Sequence, residues 1–173
     1  RFCSIADDQI GAIEYAIKAV NFAGNLTIEP YVDFDVVNKD SNYDEKFWIE
    51  IAKETAIGSA YNIAETKKTA FHVCTGMLNQ IFLDNKLQDI YPTVETNNTY
   101  VGLSYQVDTP KGKTVTINKF GGYTVSLNHK KEDVSSASKA VLKQASESGF
   151  EALLELQKQI AELKKQIEEL KKK

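Results

Sequence analysis

The chain is poor in the residues that most often mark a reactive site: two cysteines, two histidines, one tryptophan and one methionine among 173 residues. No stretch approaches the roughly 18 continuous apolar residues of a membrane-crossing helix, so no membrane partner is expected. Clustered positive charge is equally scarce. Lys171–Lys173 is the only basic run, at a position that reads as a helix C-terminus, where cations are favoured without any partner. With a formal net charge of −3, nothing resembles the one-sided Lys/Arg footprint of a nucleic-acid binder. Cys74 follows His72 by two residues, which in a strand puts both on one face, but a zinc site would still lack two ligands. No metal is therefore expected, and His72 reads as a strand residue with a hydrogen-bond partner. No Gly-x-Ser-x-Gly elbow or glycine-rich phosphate loop occurs.

Cys3 and Cys74 have the composition to pair, yet read more simply as two reduced, partly buried thiols of a cytoplasmic protein. Arg1-Phe2-Cys3 is neither an initiator nor a signal peptide, so the chain is expected to begin partway through something larger. Asn25-Leu26-Thr27 and Asn97-Asn98-Thr99 match the N-glycosylation pattern; without a secretory signal they read as turn residues.

What is present is an alternation of apolar and polar residues with period two. Ile13, Tyr15 and Ile17 alternate with Glu14 and Lys18, and Leu26, Ile28, Val32, Phe34 and Val36 alternate with Thr27, Glu29, Asp33 and Asp35. With Asn21–Asn25 between them these runs predict a β-hairpin, and Pro30 pushes the second run toward a sheet edge or a bulge. Glu45–Thr55 reads as a short helix. Further strands are predicted at Tyr61–Glu65, Ala70–Thr75, Gln80–Leu83, Ile90–Val94, Tyr100–Val107, Val115–Phe120 and Tyr123–Leu127. Turns fall at Asp84-Asn85-Lys86, Asn97-Asn98 and Pro110-Lys111-Gly112, with Gly121-Gly122 marking a bulge or a change of sheet. About nine short strands at this spacing predict a mainly β fold, a partial antiparallel β-sandwich, followed by a long C-terminal helix.

The helix begins near Asp133 or Ser135, either of which can cap it, and Gly149 predicts a kink or break. From Leu153 onward the style changes. Leu153, Leu156, Ile160, Leu163, Ile167 and Leu170 recur at alternating steps of three and four, separated almost wholly by Gln, Lys, Glu and Ala. That 3.5-residue period is a coiled-coil seam. Ile at one core position and Leu at the other favour a parallel homodimer over a trimer. The division read from the sequence is a partial β-sandwich over 1–132, a connecting helix over 133–155 and a heptad tail over 156–173, the last in the style of a fused assembly helix.

Candidate chemistry is thin. Asp40, Asn42 and Asp44 have the alternate spacing of a calcium loop, but Glu45 stands where glycine is needed and Ile51 where a bidentate Glu belongs. Asp33 and Asp35 share a strand face, an arrangement that acid–base chemistry on sugars uses and that solvated strands also show. Tyr31, Tyr43, Phe47 and Trp48 present aromatic rings suited to stacking on a sugar, or to docking on the sheet. The residues alone thus predict no self-contained catalytic centre, no catalytic residue and no cofactor.

Thr27–Trp48 reads TIEPYVDFDVVNKDSNYDEKFW, Thr66–Met77 reads TKKTAFHVCTGM and Gly149–Leu154 reads GFEALL. In this order they resemble the N-terminal β-sandwich of glycoside hydrolase family 65, which includes maltose, kojibiose, trehalose and nigerose phosphorylases. Phe34 departs from that pattern, where a small residue is expected, and the likeness is expected to end near Leu154. The resemblance implies a reaction in which inorganic phosphate, as substrate, cleaves an α-glucoside with inversion, a Glu of a separate helical barrel serving as acid. It also implies that a loop containing Asn38, Asp40, Asn42, Tyr43, Asp44, Lys46 and Trp48 borders the sugar site. The barrel has no counterpart here, and the sandwich is expected to lack its opening strands. Two alternatives stay open: a carbohydrate-binding module using Tyr31, Tyr43 and Trp48, and an assembly protein carrying the sandwich as cargo.

Overall fold

The computed structural model describes residues 1–36 and 45–171. In chain order the strands are β1 (Phe2–Cys3), β2 (Ile10–Lys18), β3 (Gly24–Ile28), β4 (Tyr31–Asp33), β5 (Trp48–Ala56) and β6 (Ser59–Thr66). There follow β7 (His72–Leu83), β8 (Lys86–Leu87), β9 (Thr93–Asn97), β10 (Tyr100–Thr109) and β11 (Thr114–Val125). Helices α1 (Val134–Ser148) and α2 (Phe150–Lys171) complete the chain. The larger sheet runs β1-β2-β11-β7-β6-β5, with β8 beside β7; the smaller gathers β3, β4 and β9 around β10. The strand pairings given for both sheets are antiparallel.

The larger sheet is covered on both faces. On one side Ala60, Met77, Ile81, Val115 and Ile117 pack against Val32, Val101, Leu103, Tyr105 and Val107 of the smaller sheet. On the other, Tyr61, Ile63, Cys74 and Phe120 pack under Val134, Leu142, Ala145 and Phe150 of the helices. Strands buried on both faces lose the clean alternation of half-exposed ones, which is why β6 is buried over six successive residues, Ser59–Ala64.

Two glycines let α1 approach the sheet. A Cβ on Gly76 would lie 2.5 Å from the Tyr61 ring and 2.9 Å from Leu142, and one on Gly122 would lie 2.9 Å from Leu142. The expected bulge at Gly121-Gly122 is absent: β11 keeps one register past both residues against β2 and β7. Those glycines mark close packing instead, and the separate strands expected at Val115–Phe120 and Tyr123–Leu127 are one. Likewise Ala70–Thr75 and Gln80–Leu83 merge into β7. Thr124 fastens the start of α1 by donating to the Val134 carbonyl at 2.7 Å.

Two further expectations are corrected. The runs at Ile13–Lys18 and Leu26–Val36 do not form a hairpin: β2 pairs with β1 and β11, whereas β3 and β4 pair with β10. The intervening link crosses between sheets, where Ala19 N–H donates to Lys113 O (2.9 Å) and Ala19 O accepts from Gly112 N–H (2.6 Å). It thereby pairs with the β10–β11 connection, which makes the same crossing. The predicted helix at Glu45–Thr55 is the strand β5, whose register slips between Glu50 and Ala52 against β6. That bulge breaks the period of two and hides the strand from the sequence. Pro30 behaves as expected. Ile28 faces Tyr105 and Tyr31 faces Gly102, so β3 and β4 are one edge strand interrupted at the residue that cannot donate.

Asp133 holds the N-cap position of α1 without a side-chain capping bond. Ser135 instead donates to Glu54 at 2.9 Å, beside an ion pair between Glu54 and Lys139. The break at Gly149 (φ +82°) is present. Beyond it, Phe150 is buried with its ring 5.5 Å from Phe2, and Leu153 and Leu154 pack against the same cluster. Gln157 accepts from Ile5 N–H at 2.7 Å and donates to Cys3 O at 3.1 Å.

Replacing Gly76 by Ala should cost about 1–3 kcal/mol through overpacking, read as a lower urea midpoint. Gly11→Ala, whose Cβ would meet nothing nearer than 3.5 Å, should leave it almost unchanged. Lys139 holds the Glu54 carboxyl below its ordinary value against the opposing effect of burial, with help from Ser135. A carboxylate so depressed stabilises the fold above its unfolded pKa of about 4.3 and loses that contribution as pH falls through the lower folded value. Lys139→Met should therefore shrink the stability difference between neutral and acidic solution, measured by urea midpoints at both.

Candidate functional site

The sequence placed its candidate chemistry on and around the turn that follows β4. Asn38, Asp40, Asn42, Tyr43 and Asp44, which include the rejected calcium ligands, lie outside the described residues. Lys46 and Trp48 are described. Lys46 is exposed and its ammonium pairs with the Asp35 carboxylate, which draws together the two ends of the connection between β4 and β5. Trp48 opens β5 opposite Thr66, and its half-buried ring meets Phe34 at 5.2 Å and 57°. Both belong to a small core of Phe34, Ala64, Val73, Trp48 and Val125. The large residue at position 34, a departure from the expected pattern, is thus the ring on which Trp48 rests.

Tyr31 sits elsewhere. Its ring stacks on Tyr100 at 5.3 Å and 28°, on the outer face of the smaller sheet. Gly102 makes room for this pair, since a Cβ there would fall 2.5 Å from the Tyr100 hydroxyl. From the larger sheet Lys119 donates to Tyr31 O at 2.6 Å and holds its ammonium 5.7 Å from the Tyr31 ring centre. Burial of the Lys119 stem lowers its pKa. The Tyr100 hydroxyl is raised, first by burial and then by Glu95, Glu29, Tyr31 and Asp33.

Asp33 and Asp35 border a cleft of about 430 Å³ with Glu95, Asn97, Asn98 and Tyr100. The two aspartates are not a free acid pair. Asp33 Oδ1 accepts from Asp35 N–H at 2.7 Å and from Thr99 Oγ1 at 3.3 Å, while Asp35 is occupied by Lys46. Such bonds suit a turn. Tyr100, Glu95 and Lys119 were not singled out from the sequence as site residues, and Thr99 only within a glycosylation pattern. Their meeting depends on strand register and on which sheets face each other.

His72 finds the expected partner, Nε2 lying 3.0 Å from Glu65 Oε2. Among the described residues no three His, Cys, Asp or Glu side chains are grouped to hold a metal. Cys3 is exposed and Cys74 buried, both free, and burial pushes the Cys74 thiol up to about 11. Among the described residues, no helix is long and apolar enough to cross a membrane. Along α2, Leu156, Leu163, Ile167 and Leu170 are exposed and Ile160 is half-buried, whereas Leu153 faces the sandwich.

A family model described as glycosyl hydrolase family 65, N-terminal domain, matches residues 1–163. The chain belongs to this family. The match runs beyond Leu154 into the heptad region, further than the sequence motifs alone extended. Maltose phosphorylase of Bacillus subtilis (strain 168) is 28% identical over 151 residues, covering 87% of this chain and 19% of the relative. Alpha,alpha-trehalose phosphorylase of Thermoanaerobacter brockii is 22% identical over 167 residues, 92% of this chain and 21% of the relative. A solved structure, described as that of a candidate kojibiose phosphorylase from human microbiome, superposes with a TM-score of 0.76. At 16% identity over 92% of this chain and 20% of the other, that likeness concerns the family 65 fold. The chain spans about a fifth of the length of each.

Phe34→Ala should destabilise the fold by about 3–5 kcal/mol and shift the emission of Trp48, the single tryptophan, to the red in the still-folded fraction. Tyr31→Ala should leave that emission unchanged, because Tyr31 packs with Tyr100 instead.

Proposed function

We propose that this chain is the non-catalytic β-sandwich part of a family 65 glycoside phosphorylase. The parent reaction would convert an α-linked glucose disaccharide and phosphate to glucose 1-phosphate and glucose with inversion. The observation that carries this reading is the match over residues 1–163 of a chain only a fifth as long as relatives named maltose and trehalose phosphorylase. The local ties of Asp33 and Asp35 support it, since a general acid must be free to meet a leaving oxygen. In this reading the acid is a Glu of a helical barrel elsewhere in the parent enzyme, phosphate is a substrate, no cofactor takes part, and the setting is the cytoplasm. The loop of Asn38, Asp40, Asn42, Tyr43, Asp44, Lys46 and Trp48 would border the sugar site, with the Lys46–Asp35 pair closing its base.

The tail is proposed to assemble copies of the chain as a parallel dimer. Leu153 packs within its own sandwich, so the free seam would be Leu156, Ile160, Leu163, Ile167 and Leu170. Each side chain fully buried there would contribute roughly 1.5–3 kcal/mol.

Incubated with phosphate and maltose, kojibiose or trehalose, the chain should release no glucose 1-phosphate above a protein-free control; sustained turnover would refute the non-catalytic reading. Ile160→Asp should halve the mass seen by light scattering, and an unchanged mass would remove the tail from assembly.

A further inference from the structure

A strand at the rim of a sheet presents unpaired N–H and C=O groups, and proteins commonly blunt such edges against a second chain. Two edges of this sandwich are blunted. β5 carries its register slip between Glu50 and Ala52. The β3–β4 edge is broken at Pro30, and Lys119 occupies the Tyr31 carbonyl.

The outer edge of β2 differs. β1 covers it no further than Ala12, so Ile13–Lys18 has no strand beside it on that side among the described residues. On the other side β2 keeps one register with β11 from Ile10 to Lys18, without bulge or proline. Glu14, Tyr15, Ala16 and Lys18 are exposed and Ile17 is half-buried.

Strand alternation decides which backbone groups are free. Antiparallel partners alternate between pairs that exchange backbone hydrogen bonds and pairs that do not. Ala19 N–H donates to Lys113 O and Tyr123 N–H to Gln9 O, each at 2.9 Å and in line with the β2–β11 register. Odd-numbered residues of β2 therefore turn their backbone groups toward β11. Ser4 N–H donates to Ile10 O at 2.8 Å on the outer side, as that parity requires. The N–H and C=O of Glu14, Ala16 and Lys18 thus point outward.

The side chains along this edge complement their own two-fold copy. Set Ala16 opposite Ala16 of a second copy, antiparallel, and Glu14 faces Lys18 while Tyr15 faces Ile17, each pair occurring twice. The three outward-pointing residues then all fall in hydrogen-bonded pairs. Opposite charges, and an aromatic beside a β-branched residue, are favourable cross-strand pairs. Among the described residues neither Glu14 nor Lys18 is already in an ion pair. The neighbouring register, with Tyr15 on itself, would set Glu14 opposite Ala16 and lose both charge pairs.

We propose that the outer edge of β2 pairs antiparallel with the same edge of a second copy of this chain, with Ala16 on the two-fold axis. The contact joins two larger sheets into one continuous sheet. Because the same patch serves both copies, the contact closes on itself instead of propagating. It is separate from the heptad seam of α2 and does not rest on the phosphorylase reading.

The test is disulfide trapping in the full chain carrying Cys3→Ser, which leaves the buried Cys74 as the remaining native thiol. Ala16→Cys should give a covalent dimer under mild oxidation, several-fold faster than Tyr91→Cys, an exposed position off this edge that controls for collision. Glu14→Cys and Lys18→Cys proteins should cross-link with each other when mixed and far less with themselves. In the Ala16→Cys protein, Glu14→Lys should slow trapping roughly tenfold by setting like charges opposite Lys18 in both pairs. Adding Lys18→Glu should restore the rate. These positions are exposed, so folding is not at stake. The proposal is overturned if Ala16→Cys is trapped no faster than the control. It is equally overturned if Glu14→Cys and Lys18→Cys each react with themselves as fast as with one another, or if the charge swap brings no recovery. The mass of Ile160→Asp reports on the seam alone, so failure of the tail reading is distinguishable from failure of this one.

Discussion

Burying one sheet on both faces is the constraint from which the rest of this architecture follows. Strands β6, β7 and β11 meet the smaller sheet on one side and helix α1 on the other, so few of their positions are free to be polar. Backbone hydrogen bonds within the sheet are what make such burial tolerable, since every buried N–H and C=O must be paired. The close approach of α1 further requires positions without a Cβ, and Gly76 and Gly122 meet that need under Leu142. Polar residues that do lie inside are mostly assigned a task. Thr124 ties helix to strand, and Asn62 donates to the Thr99 carbonyl at the β9–β10 turn.

The smaller sheet is narrow by comparison, with β10 at its centre and both neighbours at its edges. Its outward face therefore carries the irregular features: the Tyr31–Tyr100 stack, the Asp33 turn and the cleft beside Glu95. A doubly covered sheet fixes the ends of the connections at its rim. Here the Lys46–Asp35 pair draws together the two ends of the β4–β5 connection.

Legibility from sequence followed how local each signal was. Asp84-Asn85 and Asn98 were readable as turns, and the structure holds all three at positive φ, where Asn and Asp are tolerated. Pro30 and Gly149 acted through their own backbones and were equally plain. β5 was lost because its bulge shifts the alternation midway, leaving Trp48, Ile51 and Ala52 at the i, i+3, i+4 spacing of a helix face. The false hairpin arose because period two identifies strands without naming their partners; pairing across sheets is a long-range property of β10 and β11. The same limit hid Tyr100 and Lys119 from the candidate site. Trp48, left open between stacking on a sugar and docking on the sheet from a helix, lies on a strand with Phe34 as its neighbour.

The attachment of α2 couples the two ends of the chain. β1 is only two residues long, and its neighbourhood is clasped from outside by Phe150 against Phe2 and by Gln157 against the backbone of Cys3 and Ile5. At about 1.5 Å of rise per residue, the 22 residues of α2 form a rod roughly 33 Å long. A torque applied to its far end would be delivered, through that clasp, to β1, one of the two shortest strands of the larger sheet. Whatever holds the rod in place therefore also bears on the pairing of β1 with β2.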